Sequence, residues 1–355
     1  MTKRQKTWLL IAGCTALAGG IIGVWALAAH PSANPVTLLR PTPVPTPQPS
    51  PTPVRVASPL TGLMVDPAVA AQPVVGVIIE NLNPDARPQS GLSDAGVVYE
   101  ANAEGGITRF LALYLDKIPA SLGPVRSLRT YFLDWALEYG APVAHAGGNQ
   151  DALDLIKPLG LKDMNALSFA ADGFLRTTDR VAPHNLYTSD TKLKALLARL
   201  GYAGPASFTP APRQTSPATA STAVAHPHIH LDFSYAGYQV DYDYDTATSD
   251  YARSMGGTPH IDRTTGRQIH VKNIVVEMMP TSYGLTRIGE QTVIMQTVGQ
   301  GSGWVMHDGN ATPITWKKSS HAARTQLLGA DDHEVPLDPG NTWFAIVPVG
   351  KTVSY

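Results

Sequence analysis

The chain's apolar and polar positions fall into four regimes. From Thr7 to Ala29 no residue is charged, a run long enough to cross a bilayer as a helix. From Pro41 to Pro53 proline recurs at every second position, which favours extended polyproline II and gives no means of building a core. From about residue 58 short apolar runs alternate with helical periodicity. Val74–Ile79 reads as a buried strand, and Val97–Tyr99 and Ile107–Leu115 as further strands joined through Gly105-Gly106. Leu128, Phe132, Trp135 and Tyr139 share one helical face with Ser127 as N-cap and Gly140 as stop. Pro142–Ala146 predicts a strand, and Asn149–Lys157 and Asp190–Leu200 predict helices. From His226 onward strand patterns dominate: Tyr238–Asp245, Tyr251–Arg253, Asn273–Met279, Thr292–Val298, Trp304–His307, Ile314–Lys317 and Thr342–Val347.

These patterns predict an α/β N-terminal domain plus a β-rich C-terminal domain behind an N-terminal membrane segment. The expected boundaries are a signal or anchor over 1–29, a stalk over 30–57, the α/β domain over 58–202, a linker over 203–225 and the β-rich domain over 226–355. The basic flank Lys3, Arg4 and Lys6 keeps the start of the chain in the cytoplasm and places the remainder outside, on the extracytoplasmic face of the cell membrane. Three fates of the leader compete: a retained anchor, cleavage after Ala26-Leu27-Ala28, and lipidation of the lone Cys14 in Ile11-Ala12-Gly13-Cys14. With no cysteine after Cys14, the domains have no disulfide, thiol nucleophile or thiolate metal site. A formal charge of -1 gives no electrostatic footprint for nucleic acid.

Strand–helix alternation brings helix N-termini to one sheet edge, where ligands bind in open α/β folds. Arg126 and Arg129 flank Ser127 there and oppose the helix dipole, which an anion held between guanidiniums and amides would explain. The competing reading pairs them with Glu80, Glu100 or Glu104. Arg87, Arg109, His145, Gly147, Gly148, Arg180, His184 and Asn185 complete the candidate ligand-binding set by topology. His145 also reads as a core histidine. Glu100 and Glu104 are the obvious acids for glycoside hydrolysis. The residues name no reaction: Gly-x-Ser-x-Gly, the phosphate-loop pattern and His-Glu-x-x-His are all absent. His226, His228 and His230 alternate, as do Asp241, Asp243 and Asp245; solvated strand faces compete with metal binding. Trp304, Trp316 and Trp343 offer either a sugar platform or core packing.

Several ordered motifs resemble the YerB-like lipoproteins. In the first half these are Ser58-Pro-Leu-Thr-Gly62, Ala86-Arg-Pro-Gln-Ser-Gly-Leu92, Glu104-Gly-Gly-Ile-Thr-Arg-Phe-Leu-Ala-Leu113, Gly123-Pro-Val-Arg-Ser127, His145-Ala-Gly-Gly148 and Ala182-Pro-His-Asn-Leu-Tyr-Thr-Ser189. Ile314-Thr-Trp-Lys-Lys318 and Leu337-Asp-Pro-Gly-Asn-Thr-Trp343 continue the likeness in the second half. The resemblance implies an extracytoplasmic bacterial protein of two domains and unknown function. A fainter one, over Arg109–Ile156, is to the LytR-CpsA-Psr phosphotransferases. It implies that Arg109, Arg126 and Arg129 hold pyrophosphate, with magnesium only if transfer occurs. Thr108 and Thr130 stand where a metal-binding acid would be expected.

The leading expectation is therefore a membrane-tethered protein binding an anionic cell-wall ligand, related to pyrophosphate or peptidoglycan. The alternatives are an envelope phosphotransferase or hydrolase, and a structural or regulatory adaptor with an envelope-protein partner.

Overall fold

The computed structural model describes residues 54–215 and 224–355. The leader, Cys14 and nearly all of the stalk lie outside the described residues. Among the described residues no helix is long and apolar enough to cross a membrane.

In chain order the principal elements begin with β1 (Val75–Glu80), β2 (Val97–Asn102), β3 (Thr108–Tyr114), α1 (Thr130–Glu138) and β4 (Val143–His145). They continue with α2 (Gln150–Leu159), β5 (Asp163–Asn165), α3 (Ala166–Gly173) and α4 (Asp190–Leu200). The second half supplies β6 (His228–Asp232), β7 (Gln239–Asp245), β8 (Asp250–Met255), β9 (Asn273–Met279), β10 (Thr281–Leu285) and β11 (Gln291–Met295). It closes with β12 (Gly299–His307), β13 (Asn310–Lys318), β14 (Gln326–Leu328) and β15 (Thr342–Pro348).

Ten strands form one mixed sheet in the order β14-β13-β12-β9-β15-β2-β3-β1-β4-β5. The two halves meet where β15 lies parallel to both β9 and β2, with Phe344 opposite Val275 on one side and Tyr99 on the other. Six residues of β15, Thr342 to Val347, are buried, as expected of a strand covered on both faces. The molecule is mostly β with few helices, and its two sequence domains share this sheet instead of each closing its own. The parallel crossover order expected of the first half holds for β1-β4-β5, whereas β3 lies between β1 and β2 and is antiparallel to both. A second sheet is built on β6, β7 and β8, and β10 and β11 form a separate hairpin.

The segment expected to be a plain linker is partly built into the body. Arg213 bridges to Leu337, and its guanidinium donates to the carbonyls of Leu60 (2.6 Å) and Asp338 (2.8 Å). Phe208 packs on Tyr139 at 5.3 Å between ring centroids.

Trp316 and Trp343 are core residues, 1 % and 2 % exposed, and Trp304 packs against Tyr355, so the three tryptophans offer no sugar platform. The two alternating polar runs explain each other across the β6–β7 ladder. His228 lies 2.7 Å from Asp243, and His230 lies 2.7 Å from Asp241. His226 stands apart from them, its ring edge-on to Tyr355. Elsewhere, His307, Asp308 and Asp338 do gather, but Lys272 Nζ sits among them, 3.0 Å from Asp308 and 2.9 Å from Asp338, and occupies the position of a cation.

Candidate functional site

Ser127 does not cap the helix. The backbone from Val125 to Leu128 is spent on strand-like bonds: Val125 N–H donates to the Leu186 carbonyl, Arg126 N–H to Ile78 and Leu128 N–H to Gly147. The helix therefore starts at Thr130, with Arg129 in the cap position and no side-chain cap bond. The Ser127 carbonyl accepts instead from Arg109 Nη1 at 2.8 Å.

Both arginines of the predicted pair hold carboxylates. Arg126 Nε donates to Glu80 at 3.0 Å, and the other oxygen of Glu80 lies 3.0 Å from His184 Nδ1. Arg129 grips Glu104 with two bonds, Nε to Oε1 at 2.7 Å and Nη2 to Oε2 at 2.5 Å. Burial pushes the Glu104 carboxyl up, but the bonds and charge of Arg129 outweigh it and hold the group below its ordinary value. Glu100 and Glu104 do not act as a pair. Glu100 is fully buried and takes bonds from Thr108, Arg253 and Trp343, away from Arg129.

The remaining candidates separate. His145 is a satisfied core histidine, its ring nitrogens each 2.7 Å from an acceptor, the Gly147 carbonyl and the Asp163 carboxylate. Gly147 turns at φ +62, and Gly148 bridges to Leu128. Arg180 latches the 86–88 loop through the carbonyls of Ala86 (2.9 Å) and Pro88 (2.7 Å). Asn185 is internal to its own loop, bonded to Arg176 and Thr177.

Three arginines of the set, Arg87, Arg109 and Arg180, hold no carboxylate among the described residues. Arg109 is buried with an unpartnered Nε, and burial, then the charge of Arg129, lowers its pKa to about 10. Arg87 donates only to neutral acceptors, Asn81 Oδ1 at 2.9 Å and the Gly237 carbonyl at 3.0 Å, and lies 4.8 Å over the Tyr238 ring. Its Nη2 is buried without a partner, and its proton affinity is lowered, first by burial.

Arg87 lines a cavity of about 360 Å³ between the two halves of the sequence. Asn83, Pro84 and Pro88 form one wall; Met255, Gly256 and the stretch Thr258–Ile261 form the other. Beneath it runs a directional hydrogen-bond chain. Arg253 donates to Glu100 and to His260 Nδ1, and His260 Nε2 donates to Gln89. Gln89 Nε2 donates to Asn81 Oδ1, the atom that also accepts from Arg87. Burial, with Arg253 and Arg87 adding to it, pushes the His260 pKa well down and fits its neutral tautomer in this chain. Two guanidiniums thus face one buried carboxylate, an excess of positive charge below an open cavity.

Asn81, Arg253 and His260 were not singled out from sequence. For Arg253 a signal existed: it shares strand parity with the apolar Tyr251 and Met255, an inward position for a charge.

Comparison with known proteins accounts for this architecture. The first half, residues 60–203, matches the N-terminal domain of the family described as protein of unknown function DUF3048, and residues 229–344 match its C-terminal domain. "Putative lipoprotein YerB" of Bacillus subtilis (strain 168) is 32% identical over 295 residues, 83% of this chain and 87% of that protein. The chain belongs to the YerB (DUF3048) family. The crystal structure of Bacillus subtilis YerB superposes with a TM-score of 0.74 at 31% identity, over 84% of this chain and 100% of that one. These findings show the YerB family; they do not show the LytR-CpsA-Psr likeness.

Proposed function

We propose that this YerB-family chain is a membrane-tethered protein on the extracytoplasmic face of the envelope that binds an anionic envelope ligand in the Arg87 cavity. The basic flank, apolar run and proline-rich stalk of the sequence support the tether, as does the word lipoprotein in its relative's name. One observation carries the ligand class: the guanidinium of Arg87 lines the cavity without a carboxylate partner and with a buried donor unsatisfied. A half-buried charge without a counter-ion is incompletely solvated, a cost that an incoming carboxylate or phosphate offsets. Proline and methionine walls suit a ligand with an apolar portion, such as a prenyl pyrophosphate or a muropeptide.

The site is thus displaced from the Arg126–Arg129 pair, whose carboxylate partners leave less charge for a ligand. That pairing favours a second reading, a non-catalytic adaptor that docks an envelope protein. It also removes support from phosphotransfer, since two of the three arginines expected on pyrophosphate already hold Glu80 and Glu104.

A thermal-shift titration of residues 53–355, one compact unit, with farnesyl pyrophosphate, inorganic pyrophosphate and a soluble muropeptide separates the readings. Stabilisation by at least one, lost in Arg87→Gln, is expected. No shift with any of the three moves the assignment to the adaptor.

A further inference from the structure

A second cavity, of about 390 Å³, lies between the Glu104–Gly106 turn and the β10–β11 hairpin and shares no lining residue with the Arg87 cavity. Its walls include Glu104, Gly105, Tyr283, Gln291 and Thr292. Tyr283 is 67 % exposed, as is Leu285 on the same strand face. Gly105 adopts φ +71, and a Cβ there would meet no atom within 4 Å, so the turn leaves the space before it open.

The walls are held in place. Thr292 Oγ1 accepts from Asn149 at 2.8 Å, and Glu290 accepts from the Gln150 N–H at 2.9 Å, fastening the hairpin to the start of α2. Arg287 in the hairpin turn bonds Asp154 on the same helix. Both oxygens of Glu104 are oriented by Arg129 and retain free lone pairs. Glu104, the charged residue that lines this cavity, is neutralised by its two bonds from Arg129.

We propose that this cavity is a glycan subsite that takes a neutral hexopyranose unit stacked on Tyr283. The C–H face of a pyranose packs on an exposed aromatic ring, and its hydroxyls are both donors and acceptors. The Glu104 carboxylate accepts from one hydroxyl, and the exposed Gln291 amide both donates and accepts. An aromatic platform flanked by a few fixed polar groups selects such a ligand over an apolar one. The sugar platform sought among the tryptophans is supplied here by a tyrosine on an edge hairpin. This inference does not rest on the Arg87 reading.

The test is titration calorimetry on the full-length chain in a zwitterionic detergent, since sugar-headed detergents would compete. Chitotetraose and cellotetraose serve as probes, with Tyr283→Ala, Tyr283→Trp, Gln291→Ala and Arg87→Gln alongside. At least one probe is expected to bind with Kd below about 10 mM, the range of weak single-site association. Tyr283→Ala should weaken it at least about tenfold, the loss of a few contacts at a small site. Tyr283→Trp should preserve binding, Gln291→Ala should weaken it, and Arg87→Gln should leave it unchanged. Chitotetraose alone binding assigns N-acetylated sugars; cellotetraose binding as well assigns the pyranose ring itself. Both substitutions at Tyr283 are on an exposed side chain, and an unchanged urea midpoint confirms the fold. No binding of either probe up to about 10 mM, or binding indifferent to Tyr283→Ala, overturns the proposal.

Discussion

Glu277 lies on β9 opposite Gly303, 1 % exposed, with Oε1 buried and unpartnered. Burial, and then the nearby Glu138 carboxylate, raises its pKa from 4.5 to about 8, while Lys318, itself bonded to Glu138, pulls only weakly the other way. The folded chain therefore binds a proton that the unfolded chain releases at 4.5. Stability is full below that pH and falls as pH rises towards 8, by up to about 1.4 kcal/mol per unit. By pH 7 the loss is about 3 kcal/mol, a large fraction of a typical domain's stability. Glu277→Gln keeps the shape and removes the titration. Urea denaturation of residues 53–355 at pH 5, 6, 7 and 8 should show the variant gaining on the parent with each step, by about 3 kcal/mol at pH 7 relative to its position at pH 4.5. A difference between the two proteins that is the same at pH 5 and pH 8 would refute the reasoning.

Other perturbations probe the joint between the halves. Glu100 and Arg253 form a fully buried pair across the two sequence domains. Arg253→Met should cost about 3–5 kcal/mol in urea denaturation, and adding Glu100→Gln should recover part of it, because the orphaned charge goes. Gly303→Ala places a methyl against the Val276 carbonyl in the β9–β12 ladder. It should lower Tm by about 5–10 °C if it folds, what a loss of several kcal/mol gives in a chain of this size; a Tm within about 2 °C of the parent would contradict the packing. Arg126→Ala/Arg129→Ala breaks two ion pairs, of which one has a fully buried carboxylate, Glu80, and the other is mostly buried. Because Glu80 is left buried without its arginine, the double change should cost about 3–5 kcal/mol of stability, measured by the same denaturation.

Much of the fold was legible because its signals are local. The run Val74–Ile79, the Asn149 cap, which accepts from the Ala152 N–H, and the αL glycine at 201 each state an element without reference to the remainder of the chain. What sequence could not show is pairing over distance. Thr342–Val347 reads as a strand, yet nothing in it says that it inserts beside β2 and fuses the halves into one sheet. The candidate site failed for the same reason. Ser127 looks like a cap by composition, but its neighbours' backbone amides are committed to Ile78, Leu186 and Gly147, contacts from three separate stretches. Arg87 was found by its place after a strand, whereas the partners that define its cavity, Met255 and His260, come from the other half of the chain. Arg253 carried a readable anomaly, a charge at an inward strand position, that a parity check would have caught.

The central claim is that Arg87, and not the Arg126–Arg129 pair, supplies the free positive charge for an anionic ligand. Titration calorimetry with farnesyl pyrophosphate on the parent, Arg87→Gln and Arg126→Ala/Arg129→Ala tests it most directly. A charge-assisted hydrogen bond contributes about 1.5–3 kcal/mol, so Arg87→Gln should weaken binding about 10- to 100-fold while the double variant stays within about threefold of the parent. Affinity lost in the double variant and kept in Arg87→Gln would contradict the account.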